Sequence, residues 1–146
     1  MMEINMKEKI FNRLPKSIAF RQFIKFSLVG IVNTLIDISV YFDLKHWTFY
    51  FTYHLSLAKT ISFLTAVTFS FFTNRSFTFN RKSRVNWNEA LRFYATVGSG
   101  VFLNVLIHFL TRTYLNFPDI LALLTASFST LFWNFLFARF WVFKNV

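Results

Sequence analysis

Two stretches of the chain, residues 93–111 and 120–138, run without a single Asp, Glu, Lys or Arg. Each is long enough to cross ~30 Å of hydrocarbon as a helix, which takes about 20 residues. Residues 26–44 and 55–74 meet the same requirement, interrupted only by Asp37 and Asp43 in the first and Lys59 in the second. A soluble helix hides one stripe and wets the other, whereas the two uncharged segments are apolar on every side. Covering four such helices would take a polar outer layer, and 146 residues leave no chain to build it. Strands of a membrane barrel alternate apolar and polar residues, and these runs do not. The prediction is an all-α membrane protein of four transmembrane helices.

Sixteen Lys and Arg against six Asp and Glu give a net charge of +10. A nucleic-acid-binding domain gathers such charge on a polar face with aromatics for stacking. Here the basic residues form short clusters between apolar runs, so nucleic acid is not expected as a partner. Their distribution instead sets the orientation, because short cytoplasmic loops are enriched in Lys and Arg. Thirteen of the 16 fall before residue 26, between Arg75 and Arg92, or at Arg139 and Lys144. Only Lys45 and Arg112 occupy the other two loops. Both termini and the middle loop are therefore expected in the cytoplasm, with the protein a multi-pass component of the cell (inner) membrane.

Residues 1–20 read as a basic amphipathic N-terminal segment, and residues 21–146 as one four-helix domain. Within residues 15–25, Ile18, Phe20, Phe23 and Ile24 interleave with Lys16, Arg21 and Lys25, the pattern of a helix lying on anionic headgroups. No small-residue cleavage site follows the first apolar stretch, so it reads as a span that stays in place. On the outer side Trp47, Phe49, Tyr50 and Tyr53 crowd one loop, as interfacial aromatics do. With no Cys there is no disulfide, thiolate metal site or thiol nucleophile.

The four spans read as two tandem helix pairs. Residues 70–80 and 134–144 each carry a polar residue followed by Phe, then Arg, an aromatic two residues on, and Phe four residues after the Arg. Lys25-Phe26 opens the first span much as Arg92-Phe93 opens the third. Each pair crosses the membrane twice, so a pseudo-twofold axis along the membrane normal is expected, as in transporters built from parallel repeats.

Polar residues inside the spans are the candidate site. Asn33 and Asp37, then Asn104 and His108, share a helix face at i, i+4 spacing. Asn33, Asn104 and Asn134 suit interhelical hydrogen bonds. Asp37 lies about 18 Å above Lys25 along its helix, and Lys59 about 24 Å above Arg75, so the pair can meet in the outer half of the bundle. Two readings fit, a register-fixing ion pair and a polar step on a substrate path. Arg75 and Arg139, in matching contexts near Lys25 and Arg92, fit either a positive-inside anchor or a basic pocket for a lipid phosphate.

The chain resembles the GtrA-like family, also called the GtrA/DPMS transmembrane family. The residues that carry the resemblance are Lys25-Phe26, Val29-Gly30 and Asn33-Thr34-Leu35-Ile36-Asp37, with residues 71–79, Arg92-Phe93 and residues 134–143. It covers nearly all of the chain from residue 21 onward. Ala138 departs from it, standing where Asn74 stands in the first half, so a role of Asn74 need not be duplicated. The resemblance implies movement of a polyprenyl phosphate, or a sugar linked to it, across the cytoplasmic membrane in surface polysaccharide synthesis. A groove for that head would draw on Asn33, Asp37, Lys59, Asn74, Asn104 and Asn134, with Arg75 and Arg139 taking the phosphate. It also leaves open a non-transporting subunit that assists a glycosyltransferase, while the size and Asp37 admit a small cation or drug exporter.

An enzyme is not expected. Of the six acids, Glu3 and Glu8 lie in the N-terminal tail and Glu89 in a cytoplasmic loop. None form the spaced carboxylate pair of glycosyl transfer, and no glycine-rich phosphate loop is present. His46, His54 and His108 lack metal-ligand spacing, so no cofactor is expected. Four helices are few for a lipid-head groove, and a homo-oligomer is expected.

Overall fold

The computed structural model describes residues 18–47 and 49–144. Helix α1 (Ile18–Trp47) leads through a short helix α2 (Phe49–Tyr53) into α3 (Leu55–Thr73), which ends in a π-helical turn, Asn74–Thr78. Helix α4 (Trp87–Thr113) and α5 (Asp119–Phe137) follow, and α5 ends in a second π turn, Ala138–Val142. Among the described residues there is no strand. Only helices and closed barrels satisfy every backbone group in lipid, and here α1, α3, α4 and α5 are each long and apolar enough to span.

The helices overrun the apolar runs that announce them. Where the predicted amphipathic segment is described, from Ile18 onward, it forms the first turns of α1. Its remainder, residues 1–17, lies outside the described residues. Long basic side chains allow this extension, since their stems lie along apolar surface while the charged heads reach water. Glu89 is likewise not in a loop but in the first turn of α4, where Asn86 caps the helix by accepting from the Asn88 amide at 3.0 Å. Pro118, with no amide hydrogen to donate, stands at the start of α5.

α1 packs on α3, and α4 on α5. Without a hydrophobic force between helices in lipid, close approach rests on small residues at the contact. Ala58, Ser62 and Ala66 recur every fourth residue on α3 and are completely covered; Ala122 and Ala126 repeat this on α5. Leu35, Phe102, Leu124 and Phe128 meanwhile face outward, an apolar surface that suits a bilayer.

The two pairs join through phenylalanine at the end bearing Lys25, Arg75, Arg92 and Arg139, called here the basic end. Phe26, Phe71, Phe79, Phe93, Phe135 and Phe143 form one buried cluster. At its centre the Phe79 and Phe143 rings stack 4.8 Å apart. The π turns put them there. In each, the closing amide reaches one residue further back than in an α-helix: Phe79 N to Asn74 O at 2.9 Å, Phe143 N to Ala138 O at 2.8 Å. The wider turn swings each Phe inward, and such turns recur at functional sites.

Candidate functional site

Three groups of polar residues stand out inside the bundle. The first lines a cavity of about 140 Å³ between the two helix pairs. All four long helices contribute, with Asn33, Ser70, Asn74 and Asn134 as its polar lining among Phe26, Phe63 and Phe93. Asn74 is tied at both ends, accepting from Thr78 Oγ1 at 2.8 Å and donating to Ser70 Oγ at 3.1 Å. The side-chain oxygens of Asn33 and Asn134 are buried without a hydrogen-bond partner among the described residues. A buried acceptor left unpaired costs about 1–3 kcal/mol. Among the described residues no Asp, Glu, Lys, Arg or His lines the cavity, which therefore suits a neutral group rich in hydroxyl donors.

Gly100 leaves the room that the Asn134 amide occupies. A Cβ at Gly100 would fall well inside contact distance of that amide, while one at Gly98 would meet nothing. Gly100→Ala is therefore expected to lower stability by about 1–3 kcal/mol, and Gly98→Ala to leave it unchanged, as read from thermal unfolding in detergent.

The second group joins α1 to α3 further from the basic end. Lys59 Nζ lies 2.5 Å from one oxygen of Asp37, and Ser62 Oγ donates to the other at 2.6 Å. Asp37 is largely covered, while more than half of the Lys59 side chain is exposed. Asn104 is elsewhere. Its amide donates to Thr130 Oγ1 at 3.2 Å and so links α4 to α5.

The third group is at the basic end. The buried Arg75 guanidinium donates from Nε to Glu89 at 3.1 Å and from Nη1 to the Arg81 carbonyl at 3.1 Å. Its Nη2 reaches the carbonyls of Ser83 and Arg84 at 2.5 and 2.9 Å. Glu89 also takes Arg81 at 2.7 Å. Arg75 therefore fastens the loop after the first π turn, with its donors engaged by protein. Among the described residues Arg139 donates only to Gln22, and it lies over the Phe140 ring. The predicted site residues thus fall into a cavity (Asn33, Asn74, Asn134), an ion pair (Asp37, Lys59), a helix clasp (Asn104) and two separate arginines.

Ser62, Ser70, Gln22 and Glu89 were not among the predicted site residues. Gln22 and Glu89 were findable, because each stands three residues before the cation that opens its span, Lys25 or Arg92. Ser62 offered only its place one turn from Lys59.

A model of the GtrA/DPMS transmembrane domain matches residues 25–143. The bactoprenol-linked glucose translocase of Shigella phage SfV is 31% identical over 129 residues, spanning 84% of this chain and 95% of the relative. That of Salmonella phage P22 is 30% identical over 124 residues, 85% and 96% of the two chains. A multi-pass membrane protein accounts for both the match and the four apolar helices.

Proposed function

Because this chain belongs to the GtrA/DPMS transmembrane family, we propose that it moves a polyprenyl-phosphate-linked sugar across the cell membrane and catalyses no chemical step. The observation that carries this reading is the cavity between the helix pairs, uncharged and with two amide oxygens unpartnered among the described residues. A sugar leaving water must trade its water hydrogen bonds for protein ones or meet the full desolvation cost. Asn33 and Asn134 offer acceptors to its hydroxyls, and the Phe26, Phe63 and Phe93 side chains offer apolar surface to its ring faces. The prenyl tail needs no such shelter and stays in lipid. In this reading the two helix pairs are repeats, their basic ends face the cytoplasm, and a glycosyltransferase there loads the lipid.

The test follows a fluorescent polyprenyl-phosphoglucose across proteoliposome membranes. Wild type is expected to move it. Asn33→Leu combined with Asn134→Leu is expected to slow it roughly tenfold or more, since two hydrogen bonds of about 1 kcal/mol each are lost. The same double variant is expected to melt higher than wild type, because two unpaired buried acceptors are gone. A wild type that moves no lipid, or a double variant at wild-type speed, ends this reading.

A further inference from the structure

The basic end carries one arrangement twice, and the two copies differ in charge at the side chain that receives the arginine. Lys25 donates to the Phe77 carbonyl at 3.2 Å and lies over the Phe77 ring. Arg92 does the same at the second π turn, reaching the Trp141 carbonyl at 3.3 Å and lying over the Trp141 ring. Three residues before each cation stands the side chain that receives the arginine of the other helix pair: Glu89 for Arg75, Gln22 for Arg139. Where one half has a carboxylate, the other has an amide.

That substitution changes the electrostatics. Arg75 is neutralised by Glu89 and enclosed by loop carbonyls. Arg139 faces the neutral, buried Gln22 through Nη1, and its other N–H groups have no acceptor among the described residues. The residue before Gln22 also falls short of acceptors, since Arg21 Nε is buried without a partner among the described residues. A half-buried guanidinium whose charge and remaining donors are unmatched among the described residues is fitted to a phosphate, which such a fork holds bidentately.

We propose that Arg139 holds the phosphate of the lipid substrate, and that glutamine rather than glutamate at position 22 is what confines anion binding to this half of the molecule. The choice of a polyprenyl phosphate over an ordinary anionic headgroup rests on the function proposed above. The phosphate then sits at the basic end, beside a residue five positions along the chain from Asn134, and the uncharged cavity is left to the sugar.

Gln22→Glu tests this without removing a contact, for it recreates the Glu89 pairing. In phosphatidylcholine nanodiscs, wild type is expected to bind a fluorescent polyprenyl phosphate at least about tenfold more tightly than the matching polyprenol. Gln22→Glu and Arg139→Gln are each expected to erase that preference, with the melting temperature of Gln22→Glu unchanged or raised. Full preference in folded Gln22→Glu protein overturns the site. Competition by phosphatidylglycerol as effective as that by polyprenyl phosphate overturns the substrate assignment. If wild type moves polyprenyl-phosphoglucose but Gln22→Glu keeps its preference, only the phosphate site falls. If wild type moves no lipid yet the preference depends on residue 22, the site stands and the translocation reading falls.

Discussion

Arg75→Met is expected to leave little folded protein in the membrane, whereas Arg139→Gln accumulates normally. The two arginines occupy matching places in the sequence, so the contrast isolates what surrounds them. Removing the Arg75 guanidinium strips donors from the Arg81, Ser83 and Arg84 carbonyls at once. It also leaves the buried Glu89 carboxylate with Arg81 as its only ion-pair partner among the described residues. Breaking a buried pair from one side costs about 3–5 kcal/mol, a large part of a total stability of about 5–15 kcal/mol. Arg75→Lys is expected to recover only part of this, because a point charge with three donors cannot span the fork that joins Glu89 to the loop carbonyls. Arg139 engages one side-chain oxygen, so its loss is expected to cost under about 1 kcal/mol. Thermal unfolding of the detergent-solubilised variants measures both.

That contrast also marks how far the sequence could be read. The spans were legible because burying a backbone in lipid demands an apolar run of fixed length, and a lone Asp or Lys does not break it. Asp37 and Lys59 were legible as partners because charges so deep in two neighbouring spans have few other means of compensation. The duplicated Arg and Phe were visible as well, but not what they do. What the π turns accomplish has no local signature: they bring Phe79 and Phe143 together across the bundle, a contact between residues far apart in the chain. Arg75 and Arg139 read alike because their differences lie at Glu89 and Gln22, supplied by the opposite helix pair. The cavity was illegible for the same reason. Asn33 and Asn134 read as helix glue, yet the oxygen of each stays unpaired, with Gly100 giving the Asn134 amide room against α4.

Asp37→Asn is expected to destabilise the protein by about 1–3 kcal/mol, between the cost of opening a surface pair and that of opening a buried one. The intermediate value follows from geometry: Asp37 is well covered, but the Lys59 stem can carry its ammonium outward once the partner is neutral. Lys59→Met alone is expected to cost a similar amount, leaving the carboxylate with Ser62 as its one side-chain partner among the described residues. Combining the two removes both charges, and most of the stability is expected to return, giving a coupling energy of the order found for residues in one network. Transport separates the two roles of the pair. A sugar that has left the central cavity needs polar groups on the way to the far side, and Asp37, Lys59 and Ser62 are the next such cluster beyond Asn33 on the first helix pair. The stable double variant is therefore expected to move polyprenyl-phosphoglucose at least about tenfold more slowly than wild type, although it binds the lipid as well. Transport restored together with stability would instead make the pair a device for helix register, and the outward path would have to run along α4 and α5 past Asn104.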